Sequence, residues 1–256
     1  MAKLDVIGAI LVALTAGGFV LVVQSPSTGV AVLTAGIVLA LIGVPVTTGW
    51  VRRNPSGFLP IEVVRDRSVI RNAAAGASVP GAWFALLVAV PAILIGDGWQ
   101  AWQVGLILVP SAVVALFVPR VTGPLMATVG PSRSLAFSAV VAIVALLVAA
   151  LGAALVSPVL LAVSVALVTI AFGVGQPSMS AAVSDAVAPE VRGVALGVAT
   201  LVFLVGGSVG SAVVGGLGEA WGMWQSLTLL AVLPVGALLA LRPELRTPQQ
   251  VAISTD

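Results

Sequence analysis

The chain alternates long apolar stretches with short polar breaks. Eight stretches stand out, at residues 5–23, 29–50, 69–95, 100–119, 134–156, 158–182, 193–217 and 222–241. Each is near the roughly 20 residues that a helix needs to cross about 30 Å of hydrocarbon. A membrane barrel would need segments of about ten residues alternating apolar with polar. These stretches are apolar all the way round, which predicts helices. The pattern therefore predicts an all-α, polytopic integral membrane bundle of about eight transmembrane helices. The breaks read "QSPSTG", "RRNPSGFLPIEVVRDRS", "GDG", "PRVTGP" with "GPSRS", "SP", "SDAVAPEVRG" and "GEAWG". Only the second is longer than a turn. It divides the chain into a helix pair (1–52), a linker (53–68), a six-helix unit (69–242) and a polar tail (243–256).

Composition supports the membrane reading. Hydrophobic residues make up 60% of the chain, charged residues 8%, and mean hydropathy is +1.21, whereas a soluble domain carries about 25% charged residues. The first stretch follows Lys3, as a signal peptide would, but it is too long and no small-residue cleavage site follows it. The start at Met1 and the polar end "RPELRTPQQVAISTD" are expected of a complete product.

Basic residues set the expected orientation, because cytoplasmic loops retain Lys and Arg. With the amino terminus inside, Lys3, then Arg52, Arg53, Arg65, Arg67 and Arg71, then Arg120 and Arg133, Arg192, and finally Arg242 and Arg246 all fall on the cytoplasmic side. The outer breaks keep Asp97 and Glu219. Trp99, Trp102, Trp221 and Trp224 cluster at the outer ends, where indole sits well among headgroups. The expectation is a multi-pass plasma-membrane protein with both termini cytoplasmic.

Several chemistries drop out. The pI near 10.4 comes with a net charge of only +2, and topology accounts for the cations better than a phosphate groove does, so no nucleic-acid partner is expected. Cysteine and histidine are both absent, which removes disulfides, thiol catalysis and the usual zinc ligands. No nucleotide-binding or hydrolase motif is present, and Gly173 to Gly175 in the sixth stretch read as packing. No metal, cofactor or enzymatic activity is expected. An enzyme would have to use carboxylates such as Asp185 and Glu190, which lie beside loops.

Ionisable residues inside spanning helices often mark ion or proton paths. None is expected here at mid-membrane depth; Asp5 lies at the start of the first stretch. Other polar residues are uneven. The third stretch carries Asn72, Ser78, a Pro80–Gly81 step and Trp83, and the sixth carries Thr169, Gln176, Pro177, Ser178 and Ser180. Proline frees a carbonyl, which is tolerated where a neighbouring helix or a watery cavity satisfies it. Asn72, Ser78, Trp83, Thr169, Gln176 and Ser178 are therefore the candidates for a substrate path. For Gln176, cavity lining and a bond between helices both fit.

The seventh stretch contains "GGSVGSAVVGGLG". Residues four apart share a face, so Gly206 and Gly210 form one row, and Gly207, Ser211 and Gly215 another. Lipid gains nothing from so bare a surface, but a second helix does, through close van der Waals approach. Its partner is either a helix of this chain or one of another.

The segment "AVAPEVRGVALGVATLVFLVGGSVGSAVVGGL" resembles the loop and following helix late in the fourteen-helix drug:proton antiporters of the major facilitator superfamily. Pro189, Arg192, Gly193, Ala195, Gly197, Gly206, Gly207 and Gly210 carry the match. "LDVIGAILVAL" resembles the start of that family's extra helix pair between its two six-helix halves, and "NPSGFLPIEVVRDRSVIRN" the cytoplasmic link after it. The resemblance spans nearly the whole chain, as linker pair plus carboxy-terminal half. The family loop G-x-x-x-D-R-x-G would fall on Gly123 to Gly130; Gly123, Gly130 and Arg133 are kept, but Ala127 and Thr128 stand at the charged positions.

The resemblance implies that the third and sixth helices line a central cavity, the fourth and seventh meet the other half, and the fifth and eighth face lipid. The glycine face of the seventh would then meet the missing half, which carries most of the family's coupling carboxylates. The implied function is a half-size component for efflux of small lipophilic compounds, completed by a separate chain or by a second copy. The competing expectation is a non-transporting remnant or a module that binds a full-length transporter.

Overall fold

The computed structural model describes residues 5–54 and 65–246. Its helices are α1 (Val6–Thr28), α2 (Val30–Arg53), α3 (Arg67–Gly96), α4 (Ala101–Val129), α5 (Pro131–Ala154), α6 (Pro158–Asp185), α7 (Arg192–Trp221), α8 (Met223–Leu230) and α9 (Val232–Arg246), with a 3-10 turn at Pro189–Val191 before α7. The all-helical, polytopic architecture expected from the apolar pattern is present. Most of the linker at 53–68 and most of the polar tail at 243–256 lie outside the described residues.

Among the described residues, seven helical spans are long and apolar enough to cross a membrane, with α8 and α9 forming one of them. The apolar part of α1, Val6–Val22, is shorter. Pro234 accounts for the step between α8 and α9, since it cannot donate to the carbonyl of Leu230 and its ring crowds that turn.

Two boundaries differ from the sequence reading. The break expected at "QSPSTG" is helical, and α1 ends only at Gly29. The loop expected after Pro119 is helical as well: α4 continues through Pro119, Gly123 and Pro124 to Val129. A proline removes one donor and bends a helix without ending it. The stop is Gly130, whose φ of +84° lies where residues with a Cβ are strained. Arg120, expected in a loop, consequently sits within α4, with its guanidinium 5.4 Å from the centre of the Phe117 ring.

The bundle is organised around α3. Asp66 caps its start, accepting from the backbone N–H groups of Ser68 at 2.8 Å and Val69 at 3.0 Å. The helix packs most extensively on α7 and also meets α6, α5 and α9. Its small residues allow this. A side chain at Gly206 would strike the carbonyl oxygen of Ala77, and one at Gly210 the carbonyl oxygen of Gly81. Met179 of α6 fills the space beside Gly76. Arg71 and Glu244, 3.2 Å apart, join the start of α3 to the end of α9.

Alanine dominates the interior. Ala82, Ala85 and Ala89 of α3 pack with Ala142, Ala145 and Ala149 of α5 and Ala171 of α6. The fifth helix, which the resemblance assigned to lipid, is the most buried span, at 56%. Its alanine face is enclosed while Phe137, Val140, Val144, Leu147 and Leu151 form an exposed apolar stripe on the other side.

The first two helices make a separate hairpin. Gly18 and Gly36 let their backbones touch, and the hydroxyls of Thr15 and Thr47 lie 2.9 Å apart. At the arginine end, the indole N–H of Trp50 donates to the Asp5 carboxylate at 3.1 Å, which also accepts from the N–H of Gly8 at 2.8 Å. The hairpin lies against α7 through α1.

Gly210→Leu should separate α7 from α3 and cost about 1–3 kcal/mol, the usual range for overpacking. Gly215→Leu, where an added Cβ meets open space, should leave stability unchanged. Thermal unfolding of both variants in mild detergent checks the contrast.

Candidate functional site

The six polar and aromatic candidates divide into two groups. Asn72 is 1% exposed and fastens helices together: its amide donates to the carbonyl of Ser68 at 2.9 Å, and its oxygen accepts from the hydroxyl of Ser132 at 3.3 Å. Ser78 is buried, with its hydroxyl turned back to the carbonyl of Ala75 at 2.7 Å. Ser178 is fully buried, and its hydroxyl has no hydrogen-bond partner among the described residues. None of these three reaches an open face.

Trp83 instead stacks on the α6 face that carries Thr169 and Gln176. Thr169, Phe172 and Gln176 stand at i, i+3 and i+7 on α6, which places them on one face. Trp83 of α3 lies on Phe172, with ring centres 4.9 Å apart and an interplanar angle of 35°. Phe84 meets Trp83 edge-on at 5.2 Å, and Phe203 of α7 meets Phe172 at 5.6 Å. The cluster joins the three helices that converge there. Thr169 is half-buried and spends its hydroxyl on the carbonyl of Val165 at 2.8 Å. Gln176 is exposed, so its amide is available to a ligand. The face combines flat apolar surface with one exposed amide.

Pro177 adds a feature the sequence did not place. Lacking an N–H, it leaves the carbonyl of Gly173 without its helical donor. The single hydroxyl hydrogen of Thr122 in α4 is shared between that carbonyl, 3.3 Å away, and the carbonyl of Val118 at 2.9 Å. Gly173 permits the approach, since a Cβ there would lie 2.6 Å from a methyl of Val118. Phe172, Phe203 and Thr122 were all missed as site residues. Only Phe172 carried a sequence signal, by its spacing from Thr169 and Gln176.

The small residues of α7 are largely occupied within the chain. Gly206 and Gly210 face the backbone of α3, and Gly207 lies beneath the Phe84 ring. This corrects the expectation that the glycine row meets a second half: Gly206 and Gly210 are taken up by the backbone of α3 and Gly207 by its Phe84 ring. Ser211 bonds the carbonyl of Ser208 at 3.1 Å, and Gly215 borders open space.

The inner-loop candidates are also placed differently. Gly123 is inside α4, Gly130 forms the corner between α4 and α5, and Arg133 is exposed in the first turn of α5. Pro189 starts the 3-10 turn. Arg192 closes the connection before α7 by donating to the carbonyl of Ser184 at 3.1 Å, with Gly193 next to it on an open surface.

Residues 5–211 match the family model described as Major Facilitator Superfamily. No curated protein matches the chain.

Thr122→Val should cost about 0.6 kcal/mol, and at most about 1.7, the measured range for hydrogen bonds inside membrane bundles. Thr122→Ser should restore the bond. In a Pro177→Ala background, where the alanine restores a backbone N–H to meet the Gly173 carbonyl, the same valine substitution should be nearly neutral. A double-mutant cycle of unfolding free energies reads the difference.

Proposed function

The chain belongs to the major facilitator superfamily and is a membrane transporter, and we propose that it forms one half of an efflux pump for small lipophilic compounds. The observation that carries this reading is the exposure of α4. Within the six-helix unit this span is only 11% buried, a value shared by α2 of the hairpin, against 50% for α3 and 56% for α5. Trp102, Leu106, Val109, Val113, Leu116, Phe117 and Val121 all stand open along it. Beside it runs the α6 face with Thr169 and Gln176.

A second body covering α4 would enclose that face between two halves. Transporter halves related by an axis along the membrane normal can pair with the same orientation. The preferred partner is a separate six-helix chain, which would supply the coupling carboxylates; a second copy of this chain ranks after it. Rocking of the halves would expose the enclosed face alternately, with Trp83 and Phe172 stacking on substrate and Gln176 hydrogen-bonding to it. The arginine end of the bundle is assigned to the cytoplasm of a plasma-membrane protein.

The chain contains no cysteine, so single cysteines report contacts cleanly. Leu116→Cys on α4 should cross-link to the partner half in native membranes, whereas Val144→Cys on the α5 stripe should not. Cells carrying both halves should export a lipophilic dye, and each half alone should not. A Leu116→Cys chain that forms no adduct, together with export unchanged when the chain is deleted, would replace the half-pump reading with that of a non-transporting module.

A further inference from the structure

At the tryptophan end, α4 and α6 diverge around an apolar cleft of about 740 Å³. Trp99, Trp102, Leu106 and Pro110 line one side, and Pro158, Val159, Val163 and Ala166 are among those lining the other. The volume falls within the roughly 300–1,000 Å³ of small-molecule sites. Ala162 and Ala166 also line it, and Ala166 stands one position short of a full turn before Thr169. The cleft therefore continues the α6 face that leads to Gln176.

We propose that this cleft binds an uncharged aromatic molecule bearing a hydrogen-bond acceptor. The inference rests on the transporter reading above and narrows its substrate class. Three features of the lining select the ligand. No ionisable side chain is among the lining residues, so a cation would exchange its hydration for ring faces alone, at substantial cost. Two indoles and two prolines supply flat surfaces on which an aromatic ring stacks. The polar side chains of the lining carry donors: the indole N–H groups of Trp99 and Trp102, and the amide nitrogen of Gln103. The amide oxygen of Gln103 is already taken by the backbone N–H of Gln100 at 2.8 Å. A ketone, ester or ether oxygen matches these side-chain donors. The α5 stripe, equally apolar and exposed, contributes no residue to this cleft and serves as an internal reference for ordinary lipid contact.

Benzophenone is a direct probe, being neutral, aromatic, equipped with one carbonyl acceptor and photoreactive through that carbonyl. The full chain in phosphatidylcholine nanodiscs would be irradiated with benzophenone, with a quaternary-ammonium benzophenone, or with a phosphatidylcholine carrying a diazirine on its acyl chain. Adducts would be mapped by peptide mass spectrometry. The expected result is neutral-probe labelling concentrated on Leu106, Val159 and Val163 over Val144 and Leu151, suppressed by excess fluorenone. Gln103→Met should lower cleft labelling about fivefold, the effect of one lost neutral hydrogen bond, and Ala166→Leu should lower it by filling the space. Labelling equal to that of the α5 stripe, equal labelling by the cationic probe, or labelling of the cleft by the lipid probe alone would each overturn the proposal. Export measured in the paired-half cells stands apart from this readout, so loss of cleft labelling with export retained would reject the site and leave the transporter reading intact.

Discussion

Everything in this bundle depends on how closely α3 and α7 approach. In a bilayer, helices gain no hydrophobic energy by meeting, because lipid tails are as apolar as leucine. What remains is van der Waals contact, which grows as backbones come together. Gly206 and Gly210 bring α7 onto the carbonyls of Ala77 and Gly81, and Gly76 opens α3 on another side to Met179. One helix thus holds two neighbours at close range. The alanine faces of α3, α5 and α6 extend the same economy of side-chain volume through the interior.

That packing determines what is left for function. With Gly206, Gly207 and Gly210 spent on α3 and a flank covered by α1, α7 presents only Leu204 and Trp221 as exposed large apolar residues. The open surface moves to α4 and to the adjoining face of α6. There, Pro177 loosens the helix at Gly173, and Thr122 ties the loosened carbonyl to α4. The aromatic cluster of Trp83, Phe172 and Phe203 lies where α3, α6 and α7 converge, so a change in the angle of any one of them alters the surface offered to a ligand. The polar groups of this region are therefore divided between holding helices and facing outward, and position around the helix decides which. Gln176 and Ser178 are two residues apart, about 200° around the axis; one is exposed and the other is fully buried.

Family membership and fold agree on a transporter, and the asymmetry of the bundle gives that agreement physical content. The α5 stripe is apolar along one side and backed by a close-packed face. The surface of α4 differs: it is backed only by Val104, Val118 and Thr122 as buried residues, and it borders a cleft rather than a packed seam. In that exposure α4 matches α2, whose span is also 11% buried.

The sequence by itself determined the solvent, the secondary structure and the spacing of the spans. These follow from local facts: runs of apolar residues long enough for a bilayer, the absence of alternation, and arginines at one end with four of the six tryptophans at the other. It also marked α3, α6 and α7 as unusual through Pro80, Pro177 and the glycine rows. Tertiary structure alone decided what those marks meant. Whether Gly210 faces a helix of its own chain or of another depends on a residue 129 positions earlier, Gly81, and periodicity carries no information about partners so distant. The same holds for Thr122 and the carbonyl that Pro177 frees. The proline predicts that a donor is needed, but only the packing of α4 on α6 says which side chain provides it. Helix ends were legible where glycine set them and misread where proline stood, because a missing donor bends a membrane helix while a positive φ ends it.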